Sequence, residues 1–363
     1  MPPTIPGSTI GIQMAKQTSA LPKVVLHDHL IGGIRAATFI ELAHAAGYRR
    51  LPTNDPTRLE GWIRSAGAGD LGKLLWVVDH GVAVTRTSEA IERVAFEAVE
   101  DLSEDGAIYA ELRIAPGPNS TAALSQSDIV DAALAGMERA AQARDIETRL
   151  VLTALRDQAD SAAIAQLAVD YRDRGVVGLD LAGKESDQPL FDHERAIRVA
   201  IDGGIGVTIH AGEEAGPMSI VEALDAGAQR IGVAYTLRDD LTMQEDGTTR
   251  LGPIAQRLLD EQIPVELCPT SDAVLHGFQP AQHHFEQLYP AGLNVSLNTD
   301  NRLISGSTMT GEYELALRFL SLNVDDLGHM TNRAIEAAFC DAATKDALRV
   351  LADHSYRSVT EIT

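Results

Sequence analysis

Eight short apolar runs, set apart by helical stretches, constrain this chain more than anything else in it. The runs cover 24–30, 107–115, 148–155, 176–182, 206–211, 230–236, 264–268 and 294–299. Several are rich in Val, Ile and Leu without clean alternation, as expected of parallel strands covered on both faces. Amphipathic segments occupy 88–104, 127–144, 160–173, 192–203, 219–226 and 253–262. This alternation predicts an α/β fold, a (β/α)8 TIM barrel rather than an open sheet. A helical insertion of about 36–100 follows the first strand, and the tail from 310 to 356 repeats Ala and Leu at helical spacing as extra C-terminal helices. Residues 1–20, rich in Pro, Gly, Ser and Thr, read as a flexible N-terminal arm, and 21–363 as a single barrel domain.

Several runs end on residues that bind metals. His27 and His29 stand at i and i+2, so on a strand both side chains share one face. His210 and Asp300 close two other runs. Three imidazoles and a carboxylate, with room for water, suit a catalytic zinc better than a closed structural one. Gly183 and Glu213 also fall just past predicted strand ends. Barrel active sites form at those ends, so residues far apart in sequence are expected to converge on one mouth.

Bulk properties narrow the partners. With 30 basic and 52 acidic residues the formal charge is −22. Such a surface repels nucleic acid and anionic membranes, and a small molecule is the expected partner. Cys268 and Cys340 are too few for a disulfide framework. No run nears the ~20 apolar residues of a membrane span, and the N-terminus lacks an apolar signal core. A cytoplasmic protein is expected, with its oligomeric state open.

Seven segments, in order, resemble the adenosine/AMP deaminase family of the amidohydrolase superfamily. They are LHDHLIGGIR (26–35), YAELRIAP (109–116), GLDLAGKE (178–185), IHAGEEAGP (209–217), AQRIG (228–232), VELCPTS (265–271) and LNTDN (297–301). The resemblance implies a metal-dependent hydrolase of C–N bonds that deaminates an adenosine-like purine nucleoside and releases ammonia. His27, His29, His210 and Asp300 would hold one Zn2+, or another divalent metal, that activates water. Glu213 would be the catalytic proton donor to the ring nitrogen beside the attacked carbon, with Asp300 also catalytic. His29, Gly183 and Asn301 would touch substrate, Gly183 through its backbone N–H. Tyr109, Glu111 and Arg113 are expected in a polar network inside the barrel.

Four positions depart from the family pattern. Val233 stands where the family carries a histidine that orients the attacking water, and Ile31 where it carries an aspartate that accepts from a ribose hydroxyl. Asn301 replaces a second aspartate. Arg302 replaces proline and is expected to bring positive charge to the rim of the mouth. Plain adenosine is therefore expected to be a weak substrate unless another group, such as His276, replaces the missing imidazole. Two alternatives remain open: a biosynthetic relative acting on a modified nucleoside or other heterocycle, with or without deamination, and a non-catalytic purine-binding protein.

Overall fold

The computed structural model describes residues 18–186, 188–320 and 322–360. Residues 1–17 of the expected arm lie outside it, while Thr18–Ala20 are helical and Thr18 is buried.

The eight barrel strands are β1 (Lys23–His29), β2 (Ala107–Ile114), β3 (Glu147–Leu155), β4 (Val176–Ala182), β5 (Gly206–Ala211), β6 (Arg230–Val233), and, after an antiparallel hairpin of β7 (Leu241–Met243) and β8 (Thr249–Leu251), β9 (Val265–Leu267) and β10 (Val295–Leu297). They form one parallel sheet in the order β1-β2-β3-β4-β5-β6-β9-β10. The seam between β10 and β1 is closed just past β10. Asp300 N–H donates to the His27 carbonyl at 3.0 Å, and His29 N–H donates to the Asp300 carbonyl at 2.9 Å. Below that point a side chain replaces the ladder. Asn298 Oδ1 accepts from the backbone N–H of Leu26 at 2.8 Å and of His27 at 3.1 Å.

Strand β2 shows how the sequence sorts its faces. Tyr109, Glu111 and Arg113, two apart, are fully buried in the polar barrel interior. Ala110, Leu112 and Ile114 face outward into the apolar shell with Ile91, Ala95, Ala98 and Leu102 of the helix Ser88–Glu104. The apparent absence of alternation in the sequence reflects two buried faces, one charged and one apolar.

The insertion after β1 is not one helix. It breaks into α1 (Ala36–Ala45), α2 (Pro56–Gly67) and α3 (Leu71–Val84), followed by the helix Ser88–Glu104. Asp55 caps α2, accepting from Arg58 N–H at 2.8 Å, with Pro56 at the first helical position. Asp70 caps α3 the same way. These helices bury a second apolar cluster, including Phe39, Leu59, Ile63, Leu74 and Val77, which leans on Leu303 and Ile304 beside the barrel mouth. Three C-terminal helices, Met309–Phe319, Val324–Ala337 and Ala342–Thr360, complete the chain as expected. Between the last two, Phe339 stacks on Arg230 at the opposite end of the barrel, 3.6 Å from guanidinium carbon to ring centroid. No described helix is long and apolar enough to cross a membrane.

Strand β6 is shorter than the apolar run 230–236 suggests. Val233 and Ala234 both take left-handed backbone, with φ of 70° and 54°, and the ladder ends there. The following Tyr235–Asp240 segment is 3-10 helix.

If Asn298 is the closing element of the seam, Asn298→Ala leaves two buried N–H groups without an acceptor. Each such group costs about 1–3 kcal/mol. The variant is expected to lose about 2–4 kcal/mol in urea denaturation, and an unchanged midpoint would contradict this role.

Candidate active site

Three strand ends build the site. His27 and His29 come from β1, His210 from β5, and Asp300 from the turn after β10. The Nε2 atoms of His27 and His29 are 3.2 Å apart, and those of His29 and His210 are 3.3 Å apart. Asp300 Oδ1 lies 3.5 Å from Nε2 of both His27 and His29. The three histidine ligand atoms all lie within 4.8 Å of one another.

The far side of two rings is already committed. His27 Nδ1 donates to Glu266 Oε2 at 2.9 Å, and His210 Nδ1 donates to Asp180 Oδ1 at 2.9 Å. A proton fixed on Nδ1 leaves Nε2 as a bare lone pair. For His29, burial and the neighbouring His27 and His210 push the pKa down to about 3. For His27 burial also works downward, but its bonds to Asp300 and Glu266 carry its pKa above the ordinary value; the three Nε2 atoms and a carboxylate oxygen meet at contact distance. For Asp300, burial works upward, but His27, His29 and Ser271 hold it well below the usual carboxylate range; Ser271 Oγ donates to Oδ2 at 2.5 Å. Three convergent imidazole nitrogens beside a carboxylate oxygen fit a divalent cation.

Beneath it lies a charged layer without solvent. Arg113 pairs with Glu266 and with Asp180, the latter at 3.3 Å, and donates to the Leu26 carbonyl at 2.9 Å. Arg230 pairs with Glu266 at 2.6 Å and with Glu111 at 2.5 Å, and Tyr109 donates to Glu111 at 2.9 Å. The interior polar network expected for Tyr109, Glu111 and Arg113 is thus present. Glu266 and Asp180, named within motifs but given no role, are its hinges. Gly232 admits the His27 ring: a Cβ there would sit 3.2 Å from Cε1.

Glu213 is held at the same mouth by its backbone. Glu185, another carboxylate without a role in the sequence reading, accepts from Glu213 N–H at 2.8 Å and from Gly212 N–H at 3.2 Å. Burial first, then the charges of Asp300 and Glu185, raise the Glu213 carboxyl well above its ordinary value. A buried carboxyl of that kind keeps its proton and can donate it.

A cleft of about 260 Å3 opens over these groups. His29, Ile31, Gly183, His210, Glu213, Asp300 and Asn301 all line it. Gly183 has φ of 101°, a conformation that a side chain would strain. Asn301 Nδ2 donates to Asp300 Oδ1 at 2.8 Å, so one amide hydrogen serves that carboxylate.

Three sequence expectations are placed differently. Val233 is buried at the end of β6 and is not among the described residues lining the cleft. Its β-branched side chain on left-handed backbone costs on the order of 1–3 kcal/mol, sustained where the following loop ties back to Gly212 through Thr236. His276 stacks on Tyr235, with centroids 3.6 Å apart, and also lies off the cleft. Arg302 does not charge the rim. It is buried against Asp28 at 2.7 Å and reaches Asp101 at 3.3 Å, because Asp28 needs a buried counter-charge.

A parallel barrel with a histidine-carboxylate cation site and a buried acid at its mouth defines a metal-dependent hydrolase architecture. The adenosine deaminase family model matches residues 22–354, and the chain belongs to that family. It is 41% identical over 326 residues to an adenosine deaminase of Mycobacteroides abscessus, covering 88% of this chain and 90% of that one. Among solved structures it is similar to an Arabidopsis N6-mAMP deaminase, with TM-score 0.80, 28% identity, and 93% and 99% of the two chains covered. It is also similar to Arabidopsis ADAL complexed with IMP, with TM-score 0.81, 26% identity, and 94% and 99% covered.

The carboxylates behind the imidazoles make a direct prediction. Glu266→Gln and Asp180→Asn should each weaken metal affinity about 10–100-fold, read by competition with a chelator. His210→Ala should lose stoichiometric metal by elemental analysis. Full metal retention in His210→Ala would remove it from the ligand set.

Proposed function

We propose that this protein hydrolytically deaminates an adenosine-like purine nucleoside, with His27, His29, His210 and Asp300 as ligands of one Zn2+ or other divalent cation. The observation that carries the reading is the buried Glu213, its carboxyl pushed well above its ordinary value by burial, lining one cleft with that cluster of imidazoles and carboxylate. Family membership and the deaminases among its relatives support it.

When bound, the cation would supply Lewis acidity that makes water nucleophilic near neutral pH. The chain's own residues do the rest. Glu213 donates its proton to the ring nitrogen next to the amino-bearing carbon, making that carbon electrophilic. The Gly183 N–H and the free amide hydrogen of Asn301 are donors for other ring nitrogens. Asp300 lies where it orients the incoming water and accepts its hydrogen bond. Water oxygen bonds to the carbon; one of its protons passes by way of Asp300 to the amino group, which departs as ammonia as the C–N bond breaks, the other returns to Glu213, and the ring retains a carbonyl.

Glu213→Gln keeps the volume and removes the titrating proton. It should hold metal and fold normally while kcat falls about 10²–10⁴-fold; wild-type kcat in the variant would exclude the role.

Val233 supplies no polar group to the cleft, so adenosine turnover should be low for an intact site of this kind. Val233→His puts a longer, polar side chain at the end of β6, from which it is to reach the cleft that Val233 does not line, and histidine tolerates left-handed backbone better than valine. The variant should raise kcat on adenosine, followed by absorbance. A wild-type enzyme that already turns adenosine over efficiently, unimproved by the substitution, would contradict this.

A further inference from the structure

Building on the nucleoside-deaminase reading, we propose that the cleft selects nucleosides whose sugar ends in an apolar 5′ group, 5′-deoxy or 5′-alkylthio, over both adenosine and nucleotides.

The cleft is divided by chemistry. Its polar part consists of strand-end residues, among them His29, Gly183, His210, Glu213, Asp300 and Asn301. Its apolar part is a wall of Ile31, Leu71, Leu74, Leu75, Val78 and Val82. The last five recur at helical spacing along α3 and so share one face. Ile31 continues the wall rather than interrupting it. It is pressed onto α3 so closely that a Cβ on Gly81 would fall 2.7 Å from Ile31 Cγ2.

Deamination requires the amino-bearing carbon at the strand ends. The end of the nucleoside farthest from that carbon, the sugar 5′ position, is then directed to the insertion and its wall. A hydroxyl pressed against these apolar side chains gives up water and gains no partner from them, Asp79 beside Val78 being the acceptor on this helix that lines the cleft. A methyl or thioether in the same place gains burial instead. Both effects act in one direction.

A terminal phosphate is disfavoured for a second reason. Asp79 and Asp157 line the cleft, while its cations are Lys184 and an Arg113 whose guanidinium is already engaged by Glu266 and Asp180. The contrast is with the IMP held by the Arabidopsis relative.

Calorimetric titration of the metal-loaded enzyme with product-type ligands tests this without turnover. The ligands are inosine, 5′-deoxyinosine, 5′-methylthioinosine and IMP. The two apolar ligands should bind about tenfold or more tighter than inosine, with IMP weakest. Ile31→Asp should reverse the order of inosine and 5′-methylthioinosine, and Ile31→Thr, closer in size, should narrow the gap. Inosine or IMP binding as tightly as the apolar ligands, or none of the four binding, overturns the proposal. Ammonia release from the corresponding amino nucleosides is measured alongside. Its absence with the binding order intact rejects deamination and leaves the selectivity standing.

Discussion

Two carboxylate–imidazole pairs govern this molecule: Glu266 with His27 and Asp180 with His210, joined by the single guanidinium of Arg113. They fix which nitrogen of each ring carries the proton and therefore which faces the cleft. They also explain the barrel interior. Charges taken out of water are costly unless each is paired and hydrogen-bonded, and here each carboxylate answers a guanidinium or an imidazole. Glu111, Asp180, Glu266 and Asp300 are four carboxyl groups against two guanidinium groups, Arg113 and Arg230. The barrel interior and the cluster of imidazoles are in this sense one electrostatic arrangement.

The substituted residues lie around that arrangement rather than in it. Ile31 joins an apolar wall, Arg302 neutralises Asp28, and Val233 occupies a strained turn tied to the Gly212 loop. Each changes what the mouth offers a ligand or how the mouth is held, while the acceptor set beneath stays intact. Selectivity can therefore move without dismantling the cluster of imidazoles and carboxylates beneath.

The sequence made the barrel and the residues gathered at its mouth legible for a physical reason. Strand-end residues in a parallel barrel must converge, so His27, His29, His210, Asp300 and Glu213 could be grouped from position alone, and the family motifs assigned their roles. Partners of partners were less visible. Glu266 sits in a three-residue strand whose neighbours read simply as apolar, and its importance comes from His27 and Arg230, which are remote in sequence. Glu185 acts on backbone N–H groups, which carry no sequence signal. Arg302 was misplaced because a charge beside a predicted mouth says nothing about which way the side chain turns. The end of β6 was overrun because Val-Ala continues an apolar run whatever its backbone angles.

Solvent oxygen tracing tests the central claim most directly. Metal-loaded enzyme is incubated with an amino-purine nucleoside in 18O-water, and product mass and ammonia are followed together. The account predicts one solvent oxygen in the purine ring for each ammonia released, with both lost in Glu213→Gln. Ammonia release without 18O in the product, or equal incorporation by the Glu213 variant, would contradict it.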